Sequence, residues 1–195
     1  RSTLFPYTTL FRSEDLEVES RKEKLRLVKR YLKKYDPHRA VIYCNTRKAV
    51  ESVSAELEKK YPGQVGRYHS SLSDREKIRQ QTQFCTGVHT LIVATSAFGM
   101  GIDLPDINLV IHFNMPFSMN DYIQQIGRAG RDGGKAHCIL LYSEEDYWTA
   151  STMVEPYENL RLNSSLRQMI AYCEDREHCL KHLMSEALGQ ASGKK

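Results

Sequence analysis

Two hydrophobic periods alternate along this chain. From Ser20 to Tyr35, the residues Leu25, Val28, Leu32 and Tyr35 fall on one helical stripe, with Lys and Arg crowding the opposite face. Asp36-Pro37 stops that helix. Ala40 to Cys44 (AVIYC) is a continuous apolar run and predicts a buried strand. A second helix is expected over Arg47 to Tyr61, with Val50, Val53, Leu57 and Tyr61 inward, before Pro62-Gly63 turns the chain into a short strand, Val65 to His69. Ser73-Asp74-Arg75-Glu76 is a capping box that opens a helix to about Cys85. Thr90 to Thr95 (TLIVAT) and Leu109 to Phe113 (LVIHF) are further apolar strands. Ser118 caps a helix expected to carry Arg128 and Arg131. Gly133-Gly134 leads into strand Ala136 to Tyr142, and Ser143 caps a helix through about Glu155.

Strands alternating with helices predict βαβ units. Strands that are apolar throughout are covered on both faces, as in a parallel sheet. The expected class is α/β: a three-layer αβα domain with a mostly parallel sheet, then a short helical extension. Chemistry in such sheets sits on loops after the strand C-termini. That rule selects Asn45 to Arg47, His69 to Ser71, Thr95 to Asp103 and Asn114 to Phe117.

Composition narrows the function classes. The 195 residues are 41% hydrophobic and 27% charged, which fits a folded domain rather than a disordered or membrane-embedded chain. No apolar run reaches the length of a membrane span, and no secretory signal is visible. The net charge of +4 permits a polyanionic partner without demanding one. Five cysteines, an odd count with no C-x-x-C, fit a reducing compartment; Cys44 and Cys138 read as small buried hydrophobes. Arg1 to Ser13 (RSTLFPYTTLFRS) repeats Thr-Leu-Phe and shows no period, so it reads as linker or adapter sequence outside the fold; the alternative is a genuine N-terminal arm. Gly189 to Lys195 is small and polar and is expected to fray.

Candidate chemistry concentrates in two segments. Gln124 to Gly133 contains Gly127-Arg128 and Gly130-Arg131, two arginines three apart. On a helix they would share a face and repel unless an anion lay near, and the guanidinium fork suits phosphate oxygens. A surface pair bonded to local carboxylates is the plainer alternative. The loop ATSAFGMGID places glycines on both sides of Met100, which permits unusual backbone angles and close approach to a ligand. Thr95 and Ser96 offer hydroxyls for a phosphate, and Asp103 offers a carboxylate for a ribose hydroxyl or an arginine. A tight turn with no ligand would look similar.

The order VIYCNTR, YHSSL, ATSAFGMGID, VIHFNMP and QQIGRAGRDGG, over roughly residues 20 to 190, resembles the second RecA-like domain of the RecQ family of ATP-dependent DNA helicases, in superfamily 2. The resemblance implies an arginine finger at Arg131, a phosphate-contacting or cleft-organising Arg128, and a Gln124 that couples nucleotide to the domain interface. It implies that Gly101, Asp103, Gly127 and Gly130 line the nucleotide cleft. It also implies that Asn45, Thr46, Arg47, His69, Ser71, Thr95 and Ser96 grip single-stranded DNA; His69 alternatively is a hydrogen-bonded loop histidine. Met169 to Leu188 resembles the opening helix of the family's zinc-binding subdomain, with Cys179 matching the first ligand and Cys173 matching none. His178 and His182 are more simply read as an exposed helix face.

The chain contains no G-x-x-x-x-G-K-[ST] and no Asp-Glu-x-His, so the phosphate cradle and the Mg2+-holding carboxylate are expected on an N-terminal RecA-like partner domain. The resulting expectation is residues 14–156 as a helicase C-terminal domain and 157–195 as the start of a helical zinc-binding subdomain. The whole would be an ATP- and Mg2+-dependent 3′→5′ DNA helicase of repair or recombination, zinc-bearing when complete. It would act on single-stranded and junction or duplex DNA, without a membrane, in bacterial cytoplasm or a eukaryotic nucleus. This fragment alone is expected to be inactive and without tightly bound zinc. The alternatives are an RNA-directed superfamily 2 helicase domain and a non-catalytic nucleic-acid-binding fragment.

Overall fold

A computed structural model describes residues 11–17, 20–99, 107–130, 133–154 and 160–174. Twelve elements follow in order: β1 (Phe11–Glu17), α1 (Arg21–Tyr35), β2 (Ala40–Tyr43), α2 (Arg47–Glu58), β3 (Val65–Tyr68), α3 (Asp74–Cys85), β4 (Leu91–Ala94), β5 (Leu109–His112), α4 (Met119–Ile126), β6 (Ala136–Tyr142), α5 (Glu144–Val154) and α6 (Leu160–Glu174). The strands form one sheet in the order β1-β6-β5-β2-β4-β3, and every recorded pairing is parallel.

Alternation along each strand divides the core between the two faces. On one face Ala40, Ile42, Leu109, Ile111, Ile139 and Leu141 meet Val28 and Leu32 of α1 and Val50, Val53 and Leu57 of α2. On the other, Val41, Ile92, Val110 and Leu140 meet Phe84 of α3 and Tyr122 and Ile126 of α4. Leu166, Met169 and Tyr172 of α6 belong to that same second cluster. An aromatic series crosses it: Tyr43 stacks on His112 at 5.4 Å, His112 meets Tyr122 edge-on at 4.9 Å, and Tyr122 lies 5.3 Å from Tyr172. Buried apolar area at ~25 cal/mol per Å2 supplies the main driving force for both layers.

Most helix starts follow from local sequence. Ser20, Thr46, Ser73 and Ser118 each accept a backbone N–H from the first turn of α1, α2, α3 and α4, each cap contributing about 1 kcal/mol. The capping box at Ser73 and Glu76 is complete. Asp36 ends α1 in the left-handed region at φ 41°, just before Pro37.

Three expectations shift. First, α4 ends at Ile126, so Arg128 is not helical and the arginines do not share a helix face. Gly127 closes the helix, Arg128 and Ala129 make short i→i+3 bonds to Gln125 and Ile126, and Gly130 turns at φ 68°. Glycine is a poor helix residue, and the N–H of Gly130 bonds to Ile107 O instead. Second, β1 begins at Phe11, inside the stretch expected to lie outside the fold. Its seven residues pair in register with all of β6, so an otherwise open sheet edge recruits backbone without needing a side-chain period. Third, the helix expected to open at Met169 begins earlier, as α6 from Leu160, and Met169 and Tyr172 lie buried along it. Residues 175–188, including Cys179, His178 and His182, lie outside the described residues. Cys44 and Cys138 are buried as expected, and burial pushes the Cys44 thiol pKa well up.

The opposite edge is managed differently. The Arg67 N–H on β3 is taken up by Gln80 Oε1 of α3 at 3.1 Å. The same helix is held at its C-terminus by Arg39, whose Nε and Nη2 donate to the carbonyls of Phe84 and Cys85 at 3.1 and 3.0 Å. Charged donors on carbonyls that the helix leaves open are worth more than neutral bonds. Arg39→Met is therefore expected to lower unfolding free energy by about 1–3 kcal/mol. Urea titration checks this, and a midpoint unchanged from wild type contradicts it.

Candidate nucleic-acid and nucleotide interface

Because all paired strands run the same way, the residues after β2, β3, β4, β5 and β6 emerge at one edge of the sheet. Neighbouring strands β2 and β5 then send their chains to opposite faces. The loop after β2 enters α2 on the α1 side, and the loop after β5 enters α4 on the other. Such a divergence opens a crevice at the strand C-termini, where α/β sheets bind ligands.

Asn45 and Asn114 close the floor of that crevice. Asn45 N–H donates to Asn114 Oδ1 at 3.4 Å, and Asn45 Nδ2 donates to Met115 O at 2.7 Å. Beneath them lies Asp146 of α5. Its carboxylate accepts from Lys24 Nζ at 2.6 Å, Asn114 Nδ2 at 2.8 Å, and the N–H groups of Met115 and Ser143, both at 3.2 Å. Lys24 and Asp146 are 3% and 4% exposed, so this ion pair is internal. A hollow of about 340 Å3 lies beside it, lined by residues that include Arg21, Lys24, Thr46, Lys48 and Glu145. Neither Lys24 nor Asp146 was among the residues singled out from sequence. Lys24 sits one turn before Val28 on the buried stripe of α1, but a lysine there gives no sign of the partner it will meet. Ser143 directly precedes α5, and its N–H is accepted by Asp146.

The structure joins several of the residues singled out from sequence. Arg47 Nη1 donates to Ser71 Oγ, linking the loops after β2 and β3. Asn45 and Ser96 line one small cavity with Tyr43, His112, Asp121 and Gln125. Its volume of about 30 Å3 suits a single water. Thr95 N–H bonds to Tyr68 O, and Thr95 O accepts from Phe98. Thr46 spends its hydroxyl on the Ala49 N–H at 3.1 Å, so it acts as a helix cap. His69 is buried and donates from Nε2 to Glu51 Oε1 at 2.9 Å, while Arg67 holds the other oxygen of Glu51 at 2.9 Å. This is the geometry of a hydrogen-bonded loop histidine.

At the arginine turn, Gln124 points out from α4 while its neighbour Gln125 points in, its Oε1 accepting from His112 Nε2 at 2.8 Å. Arg128 lays its guanidinium on the Gly99 carbonyl, joining the turn to the loop after β4. Gly99 has φ 89°, and a Cβ there would come within 2.6 Å of Arg128 Nη1, so the contact requires glycine. Arg128 Nε is buried with no hydrogen-bond partner among the described residues. Gly127 and Gly130 shape the turn itself, and a Cβ on Gly130 would lie 3.1 Å from Ala136 Cβ. Gly101, Asp103, Arg131 and Cys179 lie outside the described residues. Among the described residues no three His, Cys, Asp or Glu side chains converge as a metal site. No described helix is long and apolar enough to cross a membrane.

Comparison with known proteins gives this geometry a context. Residues 23–133 match the family described as "Helicase conserved C-terminal domain". The ATP-dependent DNA helicase hus2/rqh1 of Schizosaccharomyces pombe is 34% identical over 180 residues, covering 89% of this chain and 14% of that protein. The ATP-dependent DNA helicase RecQ of Bacillus subtilis is 35% identical over 188 residues, covering 93% of this chain and 32% of that protein. The chain thus spans less than a third of the length of either relative. Among solved structures, the E. coli DEAD-box protein SrmB, bound to regulator of ribonuclease activity A, superposes with TM-score 0.64 at 22% identity, over 78% of this chain and 88% of that one. That likeness establishes the RecA-like fold.

His112 yields a pH prediction. Burial pushes its pKa down to about 4, only partly offset by the Gln125 hydrogen bond. An unfolded histidine titrates near 6.5, so the unfolded chain binds the extra proton first. Stability is expected to fall as pH drops through the window from about 6.5 to 4, by a total approaching about 3 kcal/mol from this residue. Urea midpoints across that window should fall more steeply in wild type than in His112→Gln. In NMR the His112 ring should show no titration between about pH 5.5 and 8, and a midpoint near 6.5 would contradict its buried neutral state.

Proposed function

This chain belongs to the family of helicase conserved C-terminal domains, with RecQ-type helicases among its relatives, and from that premise we propose that it is the second RecA-like half of an ATP-dependent DNA helicase motor. In this reading residues 14–156 form the motor domain and 157–195 begin a helical zinc-binding unit, in which Cys179 would supply one thiolate of a tetrahedral zinc site. An N-terminal RecA-like domain supplies the phosphate cradle and the carboxylate that holds Mg2+. Arg131 is the arginine finger, acting on charge that develops on the transferring phosphoryl group. Arg128 organises the cleft, Gln124 faces the partner domain, and Gly101 and Asp103 line the nucleotide.

The strand is gripped by the edge formed from Asn45, Thr46, Arg47, Ser71, Thr95 and Ser96, with His69 anchoring its loop through Glu51. Contacts of this type go to phosphate and sugar, so little sequence preference follows. Alternating closure of the nucleotide cleft then moves single-stranded DNA in the 3′→5′ direction.

The observation that carries the reading is the seat of Arg128 on Gly99. It ties the arginine turn to the loop holding Thr95 and Ser96, so the nucleotide-facing and strand-facing segments form one mechanical body.

The test uses a protein that joins this chain to a domain bearing the GKT loop and the DExH box. Arg131→Ala is expected to lower DNA-stimulated kcat by about three orders of magnitude while KM for ATP changes little. Turnover retained in Arg131→Ala but lost in Arg128→Ala would reverse the two assignments. Stimulation by single-stranded RNA exceeding that by DNA would transfer the reading to an RNA-directed motor. ATP hydrolysis by the isolated chain would remove the need for the partner domain.

A further inference from the structure

We infer that Asp146 is a positioning residue for the strand grip: through Asn114 it sets the backbone of Asn45 and so the start of α2. The inference rests on the reading of this edge as a strand-binding surface.

Commitment to the fold is the first argument. Asp146 is buried and takes four protein donors: Lys24 Nζ, Met115 N and Ser143 N on Oδ2, and Asn114 Nδ2 on Oδ1. Its four donors come from α1, from two consecutive residues after β5, and from the residue that follows β6. The carboxylate therefore works on the protein itself.

Direction is the second argument. With Nδ2 of Asn114 held by Asp146, its Oδ1 is turned toward the Asn45 N–H. Asn45 returns a bond from Nδ2 to Met115 O, whose own N–H is on Asp146. Two adjacent residues after β5 thus clasp one residue after β2, and both are fixed from below by one carboxylate. The next residue after Asn45 is the cap Thr46, followed by exposed Arg47 and Lys48 at the N-terminus of α2. A phosphate approaching there would meet two side-chain cations and open backbone N–H groups, in the place Asn45 assigns them.

Charge is the third argument. Lys24 neutralises Asp146 from within the fold. Without it, the hollow beside Arg21 and Lys48 would hold an uncompensated carboxylate under an anionic strand.

A purely structural ion pair would stabilise the fold without tuning the grip, and Asn114→Ala separates the two roles. It cuts the link to Asn45 and leaves Lys24 on Asp146. The measurements are binding of a fluorescent oligothymidylate by the whole chain over a salt series, and hydrogen exchange of the same variant. Asn114→Ala is expected to keep a near-native melting temperature and to weaken binding about five- to tenfold. The slope of log K against log salt should flatten by about 0.7, the loss of one phosphate contact on a single strand. A loss of folded fraction alone would lower affinity without changing that slope. The Asn45 amide is expected to exchange at least about tenfold faster, while α1 and β2 amides hold.

Wild-type affinity and slope in Asn114→Ala, or an Asn45 amide exchanging as before, overturns the inference. Lys24→Met combined with Asp146→Leu removes both the acceptor for Asn114 Nδ2 and the charge imbalance that a single Asp146 variant would create. It should refold and still bind with the flattened slope, and full recovery of grip would likewise overturn the inference. If the wild-type chain binds no oligonucleotide, the strand-binding reading falls, and the exchange of Asn45 in the double variant, where Asn114 is intact, still decides whether Asp146 positions it.

Discussion

A buried charge with four donors holds the working edge of this domain together. Taking a carboxylate and an ammonium out of water costs several kcal/mol each, and a pair recovers that only when geometry is good and the remaining lone pairs are satisfied. Asp146 has good geometry, with Lys24 at 2.6 Å and three further donors. The arrangement ties α1, α5 and the ends of β5 and β6 to one point. A hydrophobic pair could fill the same space, but it could not orient Asn114 and, through it, Asn45. Directionality is what the polar network contributes.

That network has its effect because of where the sheet places it. Parallel strands put the loops after β2 to β6 at one edge, and β2 and β5, adjacent in the sheet, send their chains to opposite faces. The crevice between them is a consequence of strand order. Asn45 and Asn114 bridge it, and Ser96 shares its small cavity. His112 rises from β5 into the same region, kept neutral by burial and hydrogen-bonded to Gln125 of α4. The stack from Tyr43 through His112 and Tyr122 to Tyr172 then connects β2 to α6 across the second core layer.

Glycine governs the other end of the machinery. Gly127 stops α4 one residue before Arg128, and Gly130 turns the chain back toward β6. Gly99, at positive φ, leaves room for the Arg128 guanidinium against its own carbonyl. An arginine held this way is oriented by the loop after β4 rather than by a helix face. Arg128 therefore lies in the turn after α4 and not on the helix that the periodicity predicts.

The hydrophobic pattern by itself determined the helices over α1, α2 and α3, the buried strands β2, β4 and β5, and the parallel character of the sheet. These depend on local periodicity and on short caps such as Ser73 with Glu76, which act within a few residues. The motif order likewise singled out loops at one edge of the sheet, where Arg47 bonds to Ser71 and Asn45 shares a small cavity with Ser96. Tertiary structure decided what periodicity cannot encode. Lys24 is buried because a carboxylate 122 residues away awaits it. His69 is engaged by Glu51 of α2, which leaves it holding its loop in shape. The end of α4 was set by a bond from Gly130 to Ile107 on a distant segment, and the edge strand β1 by the open backbone of β6. In each case the deciding partner lies far along the chain, and a one-dimensional pattern carries no distance in space.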